Sequence, residues 1–357
     1  MSEAMLNAMV SAGAQAMVEN TSTDLSLMQV EGRIMPVTRD DGILGGSYVC
    51  SPHSAYALYA RRELELIGRN WWTPLAYAGT AGVDVLLRAA RANRIVHLDN
   101  WMASTNLHGN WNGSGLAKAR RELVERYPDH VIAIRSLDPW SSPHLLAAAE
   151  ADGWILAPSR QIWVVDDLDR EWLPRRNYSN DRRLIARSGL AIEDLDDVTS
   201  SDARRISELY RMLYVDRYSD LNPQFTPAFI GLSSSTGMIS YRTARDAHGL
   251  ILAVAGMWTR GGITTPAVVG YDTGQGSERG LYRIATWLFM QRAQERGMRL
   301  HGSAGAAHFK RLRGARGVIE RTAYYVEHLP RTRRLAFSML ARALDRFVTP
   351  MMQAKGW

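Results

Sequence analysis

The chain has 357 residues, enough for two domains of ordinary size that bury their own cores without metal or disulfide support. Its single cysteine, Cys50, excludes an internal disulfide and a cysteine-based zinc site and points to a cytoplasmic location. The net charge is +7 and is unevenly placed: residues 279–346 hold fourteen Arg and one Lys against four acids, a segment charge of +11 that leaves about −4 for the rest. Such an Arg-weighted stretch is either a solvated basic face or a surface suited to bidentate contact with phosphate or carboxylate.

Residues 1–35 are predicted to be a flexible N-terminal segment: residues 1–18 are rich in Ala and Met, and the first thirty residues carry acidic rather than basic groups (Glu3, Glu19, Asp24) and match neither a secretory signal nor a transit peptide. Apolar residues at helical spacing predict a helix over 54–67, after Pro52. A strand over 94–101, the polar loop 104–115, a helix over 116–127 stopped by Pro128, and a strand over 130–137 come next. A helix over 143–151 closed by Gly153 and a strand over 154–165 complete the first half. Residues 166–180 read as a linker, where acidic residues give way to Pro174-Arg-Arg.

The second half opens with a basic helix from Asp181, followed by a long helical region over 201–218 and an irregular loop enforced by Pro223 and Pro227. Segments 238–244, 250–259 and 263–271 read as an antiparallel meander with hairpin turns at 246–249 and 260–262. Residues 281–296 form an amphipathic helix closed by Gly297; a short strand at 298–301, a short helix near Gly305 and a strand over 318–328 follow, and a basic helix over 331–347 ends the pattern. The longest apolar run, 250–258, falls short of the roughly 18 residues needed to cross a bilayer. No membrane span is expected.

The chemistry concentrates where strand 263–271 feeds helix 281–296 through Thr273-Gly-Gln-Gly-Ser-Glu-Arg-Gly280. Backbone N–H groups at such a helix start can hold an anionic phosphate. The glycines miss the dinucleotide fingerprint, since the third comes one residue late and no βαβ unit surrounds them, so a nicotinamide or flavin is not expected. Asp272 ends the strand and either orients or deprotonates an amine or simply forms the turn. His301 and His308 lie seven apart, do not share a helical face and have no third ligand at a recognisable spacing; no metal is expected, and either histidine is a candidate general base or a structural residue. A second polar-aromatic loop with Trp101, Asn106, His108, Asn110, Trp111 and Asn112 is a weaker ligand candidate.

The order helix, three strands, Gly turn, helix, strand, short helix, strand, together with Phe309-Lys310 followed by Gly314, resembles the GNAT acyltransferase fold. It is similar in particular to the Fem-like branch related to the peptidoglycan-bridge aminoacyltransferases, in which two such domains sit in tandem. The resemblance covers about residues 180–330 and, more weakly, about 40–170. It implies an α/β (α+β) fold of two tandem GNAT-like domains, each a mixed, largely antiparallel sheet flanked by helices, at 36–170 and 171–330, with a basic C-terminal helix over 331–357. It also implies an acyltransferase forming an amide with a small-molecule amine. The donor is a phosphopantetheine thioester, as acyl-CoA or on a carrier protein, or an aminoacyl-tRNA, and no cofactor is permanently bound.

By the same resemblance the donor's phosphates meet Gln275, Gly276, Ser277, Arg279, Gly280, Tyr282 and Arg283, although the glycine spacing departs from the common pattern. Lys310 contacts phosphate or stabilises the developing oxyanion. Tyr214, Tyr218, Asn222 and Gln224 read the acceptor. The rival from another class is a non-catalytic basic module that binds RNA or an acidic partner through residues 331–346.

Overall fold

A computed structural model describes residues 3–67 and 73–355. The first half runs α1 (Glu3–Ala12), α2 (Ala14–Met17), β1 (Asp24–Val30), β2 (Arg33–Asp41), a π-helical turn (Ser54–Leu58) leading into α3 (Tyr59–Ile67), α4 (Thr73–Ala89), β3 (Arg94–Leu98), α5 (Leu116–Arg126), β4 (Val131–Leu137), α6 (Pro143–Ala151) and β5 (Ile155–Val165). The second half has α7 (Leu168–Glu171), α8 (Arg176–Arg187), β6 (Ala191–Leu195), α9 (Ser200–Arg211) with a π-helical turn (Met212–Asp216), α10 (Pro227–Ser235), β7 (Ile239–Arg245), β8 (Ile251–Arg260) and β9 (Ile263–Tyr271). It closes with α11 (Leu281–Glu295), β10 (Arg299–Ala304), α12 (Ala307–Arg311), β11 (Arg316–Tyr325), α13 (Arg331–Ala343), a third π-helical turn (Leu344–Val348) and α14 (Thr349–Lys355).

Expectations for the N-terminal segment and the linker are corrected. The N-terminal segment is not a loose tail: Met5, Leu6, Met9, Met17 and Val18 are buried in the same core as Phe225 and Phe229. Thr226 also donates to the Ala16 carbonyl at 2.6 Å. An Ala- and Met-rich stretch has weak periodicity of its own, and burial against the second half supplies the order that local propensity does not. The linker over 166–180 is largely helical, because Asp167 caps α7 by accepting from the Asp169 and Arg170 N–H groups, and α8 starts at Arg176.

The strands form one sheet in the order β1-β2-β3-β4-β11-β5-β10-β9-β8-β7-β6. Each half is an antiparallel run followed by a helical crossover to a parallel strand, β3 to β4 through α5 and β9 to β10 through α11. The last strand of each half then crosses over: β11 pairs with β4, β5 pairs with β10, and the two exchanged strands pair with each other antiparallel. Residues 316–325 therefore complete the first half and residues 155–165 the second, so the expected division at 170 cuts through a shared seam.

The pair β9–β10 is joined only at Ile263↔Arg299 and Thr264↔Leu300, after which the strands part toward Tyr271 and Ala304. Helix α9 crosses β9 at Gly270, where an added Cβ would stand 2.5 Å from the Leu209 carbonyl carbon; only glycine allows that approach.

Candidate functional site

The open end of the β9–β10 splay is bridged by aromatic rings. Tyr271 at the end of β9 lies 6.0 Å from Tyr282 on α11, and Tyr282 lies 4.8 Å from Phe309 on α12. Beyond Phe309 opens a cavity of about 600 Å³. One wall is α8, with Asn177, Asn180, Arg183, Leu184 and Arg187; the other is Arg283 in the first turn of α11 together with Phe309, Leu312 and Arg313.

Buried Asp181 braces that second wall. Arg283 Nε donates to its Oδ1 at 2.7 Å and Arg313 Nε to its Oδ2 at 2.9 Å, while the Arg313 guanidinium carbon lies 3.4 Å from the centre of the Phe309 ring. Arg183 and Arg187, four apart on α8, face the cavity without a carboxylate in ion-pair reach among the described residues. Four guanidinium groups against one carboxylate leave the cavity cationic, beside the N-terminus of α11.

Of the residues implied for the donor, Arg283 lines this cavity and Tyr282 flanks it. Gly276 and Ser277 are exposed on the turn, and Gln275 Oε1 accepts from Arg279 Nη1 at 2.8 Å, so this pair is occupied with itself. Gly280 holds φ of 65° at the start of α11, and Leu184 packs where its Cβ would be. Asn177, Asn180, Arg183, Arg187 and Arg313 were not singled out as donor contacts, although the Arg-rich start of the second half was visible; the i, i+4 spacing of Arg183 and Arg187 is the signal that locates them.

The remaining candidates divide. Lys310 Nζ donates to the carbonyls of Gly302 at 2.7 Å, Ser303 at 3.3 Å and Ala304 at 2.7 Å, so its N–H groups fasten the end of β10. Burial, with the nearby charge of Arg160, pushes it down to about 7. Asp272 accepts from Arg205 Nη2 at 2.8 Å and from the Gly274 N–H at 2.9 Å; burial opposes its charge, yet these hydrogen bonds and Arg205 hold the carboxyl below its ordinary range, which makes it a turn-former with an ion pair.

His301 is buried, and burial lowers its pKa; Nδ1 accepts from the Ser303 N–H at 3.2 Å, which leaves the proton on Nε2, 4.0 Å from Glu320 Oε2. His308 is exposed on α12. Tyr214 stacks on Tyr210 at 4.9 Å, and Tyr218 is largely exposed beside it. Asn222 spends both amide hydrogens on the Tyr214 and Ser219 carbonyls, and Gln224 Nε2 donates to the Asp220 carbonyl, so both brace their loop.

The first half's polar-aromatic loop is packed rather than open. His108 Nδ1 meets Asp99 Oδ2 and Nε2 the Arg135 carbonyl, both at 2.8 Å, and Trp101 and Trp111 are buried.

At the seam a polar row crosses the sheet. Arg160 on β5 donates to both oxygens of Glu320 on β11, at 2.8 and 3.0 Å, and reaches the Ser104 carbonyl and Thr105 Oγ1 at 2.7 and 2.9 Å. Burial works against the Glu320 carboxylate, but the charge and hydrogen bonds of Arg160 hold it below the ordinary range. Neither residue was a candidate in the sequence. The available signal was a charge inside a strand with apolar residues two positions away on the same face, as at Arg160 between Pro158 and Ile162 and at Arg135 between Ala133 and Leu137.

No protein-family model and no curated protein matches the chain. Solved structures do resemble it. L-PGS from Bacillus licheniformis aligns with TM-score 0.48 and 12% identity over 64% of this chain and 77% of that one. FemX aligns with TM-score 0.48 and 11% identity over 62% and 78%, and a tandem GNAT protein from the clavulanic acid biosynthesis pathway with TM-score 0.36 and 14% identity over 66% and 76%. Among the described residues no helix is long and apolar enough to cross a membrane, and no three His, Cys, Asp or Glu residues are grouped to hold a metal.

Proposed function

We propose that the protein is an acyltransferase that moves an acyl group from a phosphopantetheine thioester to an amine. The observation that carries this reading is the cationic cavity of about 600 Å³ at the N-terminus of α11, alongside the parting of β9 and β10. A donor whose phosphates rest against Arg183, Arg187 and Arg283 sends its thioester past Phe309 toward the end of β10. There the amine nitrogen forms a bond to the carbonyl carbon, the carbon–sulfur bond breaks, and the amine's proton is matched by one taken up by the departing thiolate. The protein's part is alignment and electrostatic support rather than a covalent intermediate.

Aminoacyl-tRNA is the second reading, and the basic C-terminal face supports it less than its composition suggests. Arg333 is buried and donates to the carbonyls of Ala90, Arg91 and Asp129, Arg334 pairs with Glu327, and Asp345 pairs with Arg321. The same pairings weaken the basic-module reading. The deciding experiment is calorimetric titration of coenzyme A into the wild type and the Arg183→Gln/Arg187→Gln variant. The double change is expected to weaken binding at least tenfold, about 1.4 kcal/mol; equal binding by both proteins, or none by the wild type, would sink the reading.

A further inference from the structure

Arg135 stands in the middle of β4 and is nine-tenths buried. Its Nη1 donates to Asn100 Oδ1 and to the Ala103 carbonyl, each at 3.2 Å, and its guanidinium carbon lies 5.9 Å from the centre of the Tyr48 ring. No carboxylate among the described residues forms an ion pair with it, and Nε and Nη2 have no hydrogen-bond partner there.

The next carbonyl of the same loop, that of Ser104, accepts from Arg160 Nη2 at 2.7 Å. Two guanidinium groups therefore hang from consecutive carbonyls at the seam. The one carboxylate of the row, Glu320, gives both its oxygens to Arg160. The other nearby arginine, Arg260, has Asp99. Arg135 is the cation left over, and a cation so far out of water is costly to leave without an anion. Above it, Tyr48 and Tyr59 meet edge to face at 5.2 Å, and both are only half-buried, so the covering layer retains contact with solvent.

We propose that Arg135, with Arg160 beside it, forms an oxyanion-binding subsite at the seam between the two halves, and that it receives a carboxylate or phosphoryl group carried by the acceptor. The planar fork of arginine pairs with either group through two parallel hydrogen bonds. Arg160 Nη1 also lies 3.4 Å from Ser303 Oγ, and the Ser303 carbonyl is one of those held by Lys310. The subsite thus adjoins the end of β10 where the thioester is placed. Only the assignment of the anion to the acceptor rests on the acyltransferase reading; anion binding does not.

The test uses thermal unfolding of the full chain in the Arg183→Gln/Arg187→Gln background, which weakens the outer cavity's hold on anions. Sodium acetate and sodium phosphate are each titrated against sodium chloride at fixed ionic strength, with no donor present. An anion that binds the folded state raises Tm saturably. The background is expected to respond to one of the two anions, Arg135→Met to lose that response while remaining folded, and Arg135→Lys to need at least tenfold more anion for half its shift. A response to acetate identifies a carboxylate-bearing acceptor, and a response to phosphate a phosphoryl-bearing one. The proposal is overturned if neither anion exceeds chloride or if Arg135→Met responds as its parent does. Should Arg135→Met not fold, an unchanged half-point in Arg135→Lys overturns it instead. A positive result alongside failed coenzyme A binding would reject the donor and keep the subsite.

Discussion

Arg160 and Glu320 meet in a two-point ion pair across the exchanged strands, Nε to Oε1 at 2.8 Å and Nη2 to Oε2 at 3.0 Å, with Glu320 almost wholly buried. Removing one partner from such a pair leaves a buried charge without compensation, whereas replacing both with apolar groups of similar volume is far less costly. Glu320→Ala is therefore expected to lose about 3 to 5 kcal/mol of stability in urea titrations. Arg160→Met/Glu320→Leu is expected to recover most of it, and equal losses in the two variants would show that packing, not charge, decides.

Asp40 gives a pH-dependent counterpart. Burial, opposed in part by Thr23, raises its carboxyl to about 7, and its Oδ2 has no hydrogen-bond partner. An unfolded aspartate titrates near about 3.9, so between the two values the folded chain binds the extra proton and stability falls as pH rises. Below about pH 4 wild type and Asp40→Asn should be alike. At pH 8 the variant is expected to be more stable by roughly 2 to 4 kcal/mol, approached at about 1.4 kcal/mol per pH unit. A difference that does not change with pH would exclude a raised Asp40.

Lys310→Ala frees the Gly302, Ser303 and Ala304 carbonyls that its ammonium holds. Under the acyltransferase reading kcat should fall at least tenfold, about 1.4 kcal/mol, with little change in donor Kd. Lys310→Arg should not restore it, since a planar fork cannot feed three carbonyls gathered around one nitrogen. A parallel rise in donor Kd would instead place Lys310 on the donor itself.

Salt dependence separates the donors. A compact thioester engaging a few phosphates should show a shallow logarithmic slope of affinity on salt, whereas tRNA adds about 0.7 to the slope for each phosphate engaged. Arg331→Gln/Arg334→Gln is expected to leave turnover and slope unchanged; Arg333 is left intact because it supports α4 and β4 from within. Loss of activity on ribonuclease treatment, with a steep slope flattened by that double change, would favour the aminoacyl-tRNA reading.

Local pattern made much of the element order legible. Residues 143–151 and 263–271 end where Pro143, Gly153 and the Arg260-Gly-Gly turn mark them, and the structure has α6 and β9 over those spans. It did not reveal α1, whose burial comes from Phe225 and Phe229 two hundred residues away. The hairpin β1–β2 turns at Glu31-Gly32 without the Asn-Gly or Asp-Gly signal, and was missed for that reason. The cationic cavity was half legible: Arg283 follows from the Gly turn, but its pairing with Arg183 and Arg187 depends on α8 lying beside α11. The partners of Arg160 and Glu320 depend on strand pairing more than 150 residues apart, which no local period encodes.

The exchange of β5 and β11 also settles how the molecule can move. Two lobes that close on a ligand rotate about a linker, but here any such rotation would shear a ladder running from Arg316↔Val164 to Tyr324↔Ile155. Access to the proposed anion subsite at the seam would then depend on Tyr48 and Tyr59, which cover it, rather than on rotation of the halves. A chain cut near residue 170 would yield two fragments, each with an open slot shaped for a strand of the other, so that neither would be complete until they met.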